Sequence, residues 1–272
     1  MWPVEKSSPE FVRIGRHTVE RWKGQRGELL LVERCHVERS SPWDSAALSE
    51  ALQRVVRDAG QARISVLIES AWLPVAAVSV GPVWRKKEVT ALLLHRFASL
   101  YRSADAKVQD WEIQTGFRVG DNQALGFGLH PLIKQVMDQV ALGRGRKWHA
   151  VLPALAWGLA GCSATRRWAR EPAWIFWPEQ DRQLIARVQS GRLHGFNPCS
   201  ELSRNPAQLA RLIAIERVRL GIADDSAGIE VATWDAAQSL EVPDLKLSWH
   251  RLASFNTSAL LTPLTAHESV TT

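Results

Sequence analysis

Two neighbouring stretches carry most of the information on the fold: residues 63–73 read Arg-Ile-Ser-Val-Leu-Ile-Glu-Ser-Ala-Trp-Leu, and residues 88–97 read Glu-Val-Thr-Ala-Leu-Leu-Leu-His-Arg-Phe. The first begins with alternating β-branched side chains, which is typical of a strand. A second β-rich run covers residues 73–80, so we expect a hairpin that turns at residues 69–72. In the second stretch the apolar residues recur with helical spacing, which predicts an amphipathic helix.

The residues before these stretches predict a three-stranded antiparallel meander followed by a helix. Short β-rich runs cover residues 11–15, 17–23 and 28–33, and glycines separate the last two runs. Asp44 precedes an apolar stripe of helical spacing, and its carboxylate suits an N-cap. Gly60 is expected to end this helix.

Strands and helices continue to alternate in the rest of the chain. Strands are predicted at residues 111–117, 123–127, 148–152, 174–177, 182–188 and 192–196. Helices are predicted from Pro131 to Gly143, at residues 154–160, and from the Asn205 cap to Gly221. The tail at residues 256–272 is rich in Ser, Thr and Ala without periodicity, so we expect it to be mobile. This mixed order of elements indicates the α/β class.

The composition excludes several classes of protein. With 272 residues, 46% of them hydrophobic, the chain can bury a large core and is not expected to be disordered. No signal peptide is visible, and the apolar stretches at residues 64–84 and 151–164 are interrupted or too short to span a membrane. Three cysteines suit neither a disulfide framework nor a metal knuckle, so we expect a cytoplasmic protein. We expect the 13 tryptophans partly in the core and partly at protein contacts.

No sequence motif of an active site is present. The chain has no P-loop, no Gly-x-Ser-x-Gly elbow and no His-Glu-x-x-His. Gly126 and Gly128 begin a dinucleotide fingerprint, but Pro131 replaces its third glycine, and a tight turn from strand to helix explains them better. Glu69 lies in an apolar region, where we expect it to be exposed in the hairpin turn. The sequence therefore predicts no catalytic residue, no metal and no cofactor.

The order of elements in residues 64–160 resembles that of one known family. The quoted stretches are followed by Trp-Glu-Ile at residues 111–113, by Ala-Leu-Gly-Phe-Gly-Leu-His-Pro-Leu-Ile-Lys-Gln-Val at residues 124–136, and by Val-Leu-Pro-Ala-Leu-Ala-Trp at residues 151–157. This is similar to the actin-like cytoplasmic proteins of type IV pilus and type II secretion platforms, the PilM and GspL types. The resemblance implies an α/β fold of the actin-like (ribonuclease H-like) kind, with two subdomains of mixed sheet plus helices at residues 1–150 and 151–255.

The sequence departs from this family at the two hairpins that bind nucleotide in its active members. Those hairpins carry Asp-x-Gly, whose carboxylate organises Mg²⁺-bound water and whose backbone amides hold phosphate. Here Arg13 stands where the first Asp is expected, and residues 175–178 have neither Asp nor Gly. Trp177 and Pro178 would also obstruct a phosphate. The resemblance thus implies a degenerate member that does not hydrolyse ATP, and it assigns no catalytic role to any residue.

The resemblance further implies a non-catalytic scaffold of a pilus or secretion assembly platform. Its partners would be inner-membrane and cytoplasmic proteins of that machine, and it would reach the membrane only through them. Two alternatives stay open. The first is an actin-like ATPase with an altered nucleotide site. The second is a basic nucleic-acid-binding module, which the net charge of +6 suggests but which the lack of a recognisable nucleic-acid-binding motif disfavours. Six basic residues are candidates for contact with an anionic surface or a partner: Arg85, Lys86, Lys87, Arg144, Arg146 and Lys147.

Overall fold

The computed structural model describes residues 10–25, 28–40, 43–59, 63–81, 85–101, 110–116, 123–145, 147–155, 171–179, 183–190, 192–199, 206–222, 228–233 and 247–251. The strands in these residues are β1 (Glu10–Ile14), β2 (Thr18–Gln25), β3 (Glu28–His36), β4 (Ile64–Ile68), β5 (Val75–Ser79), β6 (Glu112–Gly116), β7 (Gln123–Leu129), β8 (Ala150–Pro153), β9 (Ala173–Pro178), β10 (Gln183–Gln189), β11 (Arg192–Cys199), β12 (Gly228–Thr233) and β13 (Leu247–Arg251). The helices are α1 (Ser45–Val56), α2 (Lys86–Leu100), α3 (Pro131–Gly143) and α4 (Pro206–Leu220), and Arg57–Ala59 continues α1 as a 3₁₀ turn.

The first sheet has five strands in the order β3-β2-β1-β4-β8. β1, β2 and β3 form the antiparallel meander predicted from residues 11–33, while β4 runs parallel to both β1 and β8. The central strands β1 and β4 are buried along their whole length, as is usual for strands inside a sheet that is covered on both faces. α1 packs against β2, β3 and α3, and its buried stripe contains Leu48, Leu52 and Val55.

Asp44 is the N-cap of α1, as predicted. Its carboxylate accepts hydrogen bonds from the Ser40 hydroxyl (2.6 Å), from the Ser40 backbone N–H (2.9 Å) and from the Ala47 backbone N–H (3.1 Å). These bonds favour the charged form, the Ser40 hydroxyl most strongly, and they lower the pKa of Asp44 to about 2. Gly60, which was expected to end the helix, lies outside the described residues.

The hairpin predicted from residues 64–68 and 73–80 is wrong. Both strands exist, as β4 and β5, but β4 pairs with β1 and β8, whereas β5 pairs with β7. Between them the chain makes a helical turn, in which the N–H groups of Trp72 and Leu73 both donate to the Glu69 carbonyl (3.0 and 2.9 Å). Because β1 and β8 satisfy both edges of β4, β5 pairs elsewhere and starts a three-stranded antiparallel sheet in the order β5-β7-β6.

Gly126 and Gly128 lie inside β7, so their interpretation as a strand-to-helix turn is wrong. A Cβ added at Gly126 would come within 2.8 Å of Leu93, and one added at Gly128 within 2.8 Å of the Trp111 ring. The missing side chains allow α2 and Trp111 to approach the strand closely. α2 packs on this sheet, and its side chains Val89, Leu93 and Phe97 are buried.

The second sheet repeats the plan of the first, with the order β11-β10-β9-β12-β13. β9, β10 and β11 form an antiparallel meander, and β12 runs parallel to both β9 and β13. The sequence analysis predicts β9, β10 and β11 but not β12 and β13. α4 is tied to β11 by a hydrogen bond from the Asn197 amide to Glu216 (2.6 Å) and lies close to Gly195 through Leu220. Both sheets contribute to one apolar cluster, which contains Ile14 of the first and Ile175 of the second.

Beyond Gly60, further predictions also concern residues that the structure does not describe: the mobile tail at residues 256–272, the Asn205 cap, and the part of the small-residue helix beyond residue 155. In the described part of the chain, no helix is both long and apolar enough to span a membrane.

Candidate functional site

The turn after β4 covers the tip of the β1–β2 hairpin. Its first residue, Glu69, donates its backbone N–H to the Ile14 carbonyl (2.9 Å). The Trp72 indole N–H donates to the Gly15 carbonyl (2.8 Å), and Trp72 is fully buried. These bonds fix the turn at residues 69–72 against the hairpin at which the sequence resemblance places the first nucleotide-binding Asp.

Arg13, at the position expected for that Asp, forms ion pairs with two buried carboxylates. Its Nε donates to Glu69 Oε1 (2.7 Å), a terminal guanidinium nitrogen contacts the same oxygen, and the other lies 3.3 Å from Glu20 Oε2. Glu20 also accepts hydrogen bonds from Arg34 Nε (2.8 Å) and from the Trp22 indole (3.2 Å). The two carboxylates are at most 4% exposed. Two guanidinium groups thus balance two carboxylates in this network.

The prediction that Glu69 is exposed is wrong, because only 1% of its surface is accessible. Burial raises the pKa of the Glu69 carboxyl above its ordinary value, and the charge and hydrogen bonds of Arg13 oppose that rise. The prediction followed the general rule that a charged residue in a turn faces water. Here the turn follows a central strand and is hydrogen-bonded to a neighbouring hairpin, and the Glu69 carboxylate is buried against the Arg13 guanidinium.

Glu179 belongs to the second hairpin, which β9 and β10 form, and it contacts the same turn at residues 69–72. It follows β9 directly and is 5% exposed. Its carboxylate accepts a hydrogen bond from the backbone N–H of Ser70 (2.9 Å) and another from the Ser70 hydroxyl. The sequence analysis missed both residues, since they stand 109 positions apart and no local pattern could signal their contact. Two residues before Glu179, Trp177 is buried in the apolar cluster that also contains Trp72.

The chemistry available at the two hairpins is therefore that of internal ion pairs and hydrogen bonds. Glu20 and Glu69 face Arg13, and the Ser70 N–H that could receive an anion donates to Glu179 instead. Among the residues that the structure describes, no three His, Cys, Asp or Glu side chains are grouped so that they could hold a metal ion.

The basic residues singled out from the sequence lie on other elements. Arg85, Lys86 and Lys87 are exposed at the N-terminal end of α2. Arg144 follows α3, where its guanidinium carbon lies 5.5 Å from the centre of the Trp148 ring. With Arg57, Arg144 lines a groove of about 490 Å³ at the C-terminal ends of α1 and α3. Lys147 is exposed, and Arg146 lies outside the described residues.

An acidic groove of about 540 Å³ lies between α3 and β6, which is an edge strand of the three-stranded sheet as far as the structure describes it. Leu142 at this groove is 81% exposed. One ammonium group, that of Lys134, also lines the groove, where it donates to Glu112 (2.7 Å). The carboxylates that line it are those of Asp110, Glu112 and Asp138, so its lining is acidic although the whole chain carries a net charge of +6.

No model of a known protein family matches the chain, and no curated protein matches it either. Solved structures do match. A Bacteroides thetaiotaomicron protein with an actin-like ATPase fold and unknown function has a TM-score of 0.62 and 12% identity, with 96% of this chain and 99% of that chain covered. The chain has the actin-like fold. This confirms the predicted α/β class with an actin-like (ribonuclease H-like) fold.

Two further matches come from a secretion system and a pilus biogenesis complex. The cytoplasmic domain of EpsL, an inner-membrane component of the type II secretion system of Vibrio cholerae, has a TM-score of 0.53 and 16% identity, with 94% of this chain and 93% of that chain covered. A chain of the PilM–PilN type IV pilus biogenesis complex has a TM-score of 0.59 and 8% identity, with 89% and 88% covered. The expected likeness to platform proteins is thereby confirmed at the level of the fold.

Proposed function

We propose that the chain is a non-catalytic scaffold of a pilus or secretion assembly platform, which acts in the cytoplasm and reaches the inner membrane through partner proteins. The observation that carries this proposal is the set of contacts at the two hairpins of an actin-like fold. Arg13 is paired with Glu69 and Glu20 there, and Glu179 is hydrogen-bonded to Ser70.

These contacts favour a scaffold over an ATPase. Mg-ATP needs a carboxylate that holds the water shell of the metal and backbone N–H groups that donate to phosphate. Arg13 brings a positive charge to the carboxylate position, and the Ser70 N–H is bound to Glu179. Removing one partner of a buried ion pair costs about 3–5 kcal/mol, so a nucleotide that displaced these groups would bind at a large disadvantage.

A scaffold needs a surface for its partners, and we place one at the acidic groove between β6 and α3. Its occupant in this proposal is an extended segment of an inner-membrane component, with basic and apolar side chains. Basic side chains complement Asp110 and Asp138, and an apolar one fits beside Leu142. The edge of β6 offers backbone groups with which an extended segment can pair. The likeness to a chain of the PilM–PilN complex supports this class of partner.

We assign the basic clusters to acidic surfaces of partner proteins. Arg85, Lys86 and Lys87 are exposed at the N-terminal end of α2, where the helix dipole disfavours cations. Their charge is therefore unfavourable for the helix, and we attribute it to an external contact. Arg144 with Lys147 forms the second contact in this proposal.

Cross-linking in the native host tests the scaffold role. A photoreactive residue at Gln135, which lines the acidic groove, should cross-link to the cytoplasmic segment of an inner-membrane protein of the pilus or secretion platform, identified by mass spectrometry. Asp138→Lys should remove this product, because it places a positive charge against the basic partner. Asp58→Lys, which changes an exposed carboxylate on the 3₁₀ turn, is the matched control and should leave the product unchanged. A product that survives Asp138→Lys, or none with any platform protein, would count against the proposal.

A further inference from the structure

We propose that Glu179 is a built-in ligand: its carboxylate fills an anion site formed by the backbone N–H and the hydroxyl of Ser70, and so keeps that site closed to anions from solution. We draw this from the contacts around Ser70 alone, so it does not depend on the scaffold role.

The site has the chemistry of an anion receptor. Two donors of a single residue converge on the two oxygens of one carboxylate, with 2.9 Å between the Ser70 nitrogen and Glu179 Oε1. Both residues are more than 90% buried, so water competes little for these donors and the bonds to a charged acceptor are strong. A carboxylate or phosphate from solution would offer the same pair of oxygens.

The backbone of the turn, and with it the Ser70 N–H, is held in place independently of Glu179, and the Ser70 hydroxyl can rotate towards any acceptor beside it. The residue before Ser70 donates its N–H to the Ile14 carbonyl (2.9 Å), and Trp72 donates its indole N–H to the Gly15 carbonyl (2.8 Å). The N–H groups of Trp72 and Leu73 donate to the Glu69 carbonyl within the turn. The turn therefore keeps its shape without Glu179, and its donors would be left buried in need of an acceptor.

The neighbouring carboxylate does not forbid an anion at this site. Glu69 precedes Ser70, but its side chain turns to the Arg13 guanidinium (2.7 Å), which balances its charge. Removing Glu179 takes one negative charge away from Ser70 and leaves two donors with an opening the size of a carboxylate. In a variant that lacks the Glu179 carboxylate, a small inorganic or organic anion should occupy this opening.

Anion rescue of a truncated variant is the test. Glu179→Ala should unfold at a lower temperature than the wild type, and added acetate or inorganic phosphate should raise its melting temperature with saturation, since binding to the folded state stabilises it. Potassium chloride of equal ionic strength is the control for screening. The wild type should respond to acetate and phosphate no more than to chloride, and Ser70→Ala/Glu179→Ala should respond less than Glu179→Ala. Equal responses of Glu179→Ala and the wild type to both anions would overturn the proposal.

A double-mutant cycle tests the same contact if Glu179→Ala does not fold. Glu179→Gln and Ser70→Ala change the contact by single groups, and their combination should destabilise less than the sum of the two losses, because both act on one interaction. Strictly additive losses in urea unfolding would show that Glu179 and Ser70 are not coupled, which the proposal excludes.

Discussion

Arg13 brings a positive charge into the middle of a sheet, where an unpaired charge would be prohibitively costly. Its side chain is 10% exposed, and the two carboxylates that surround it, those of Glu69 and Glu20, come from different strands or turns of the same sheet. Arg34 supports the arrangement from the surface side, since its side chain is 49% exposed and bonded to Glu20. Arg13 is positively charged where the family has a negatively charged Asp, and the buried carboxylates around it compensate this charge.

Truncation of Arg13 should be severely destabilising. In Arg13→Met the carboxylate of Glu69 loses its partner while remaining buried, and we expect the free energy of unfolding to fall by about 3–5 kcal/mol, measured by urea denaturation. Arg34→Met is the matched control, because it removes a half-exposed guanidinium from Glu20 and should cost about 1 kcal/mol or less. Arg13→Met/Glu69→Gln should recover part of the loss. Equal losses in Arg13→Met and Arg34→Met would contradict the central place given to Arg13.

At the scale of single elements, close packing and capping explain details that composition does not. β7 accepts the side chains of α2 because Gly126 and Gly128 leave room for them. α1 begins where it does because Asp44 accepts hydrogen bonds from Ser40 and Ala47. Each feature can be tested by one substitution and a nearby control.

Gly128→Ala should destabilise the three-stranded sheet. Its Cβ would lie 2.8 Å from the buried Trp111 ring and 3.0 Å from Phe97, and overpacking of this kind costs about 1–3 kcal/mol. Gly143→Ala is the control, since nothing lies within 4 Å of its added Cβ and alanine favours the helical conformation. Thermal unfolding should show a loss for the first variant and none for the second. A Gly128→Ala protein as stable as the wild type would contradict the close approach of Trp111.

The cap of α1 should make stability depend on pH in acid. The folded state lowers the pKa of Asp44 from 3.8 to about 2, so its contribution is complete above the unfolded value and is lost as the pH falls towards the folded one. The difference in melting temperature between the wild type and Asp44→Ala should therefore be constant near neutral pH and shrink between about pH 4 and pH 2. Asp44→Asn, which caps without a charge, should lie closer to the wild type at neutral pH. A difference that does not change in acid would contradict the role of the charged carboxylate.

Periodicity predicts most of these elements but not their partners. The apolar alternation in residues 64–68 and the helical stripes of α1, α2 and α3 are local properties, and all four elements were predicted from them. The pairing of β4 with β1 instead of β5 depends on which edges are already satisfied, and that information is not local. For the same reason the sequence shows that Arg13 stands where the family has Asp, but it does not predict which side chains surround Arg13 in the folded protein.

At the scale of the whole molecule, two sheets of the same strand order meet through one apolar cluster. We propose that they mark the two subdomains at residues 1–150 and 151–255, with β8 of the first sheet lying at the boundary. Some of the tryptophans serve this core, since Trp72 and Trp177 are fully buried in the cluster. The resemblance implied a missing nucleotide site, and in the structure the hydrogen bond between Ser70 and Glu179 links the turn after β4 of the first sheet to the end of β9 in the second.

The central claim is that internal contacts of Arg13 and Glu179 occupy the hairpins where an actin-like ATPase would hold its nucleotide. Isothermal titration calorimetry of the full chain with Mg-ATP tests this most directly. We predict no saturable heat up to millimolar ATP, because the Ser70 N–H is taken by Glu179 and Arg13 replaces the carboxylate that Mg²⁺ requires. A saturable binding heat that disappears when EDTA removes the magnesium would contradict the account.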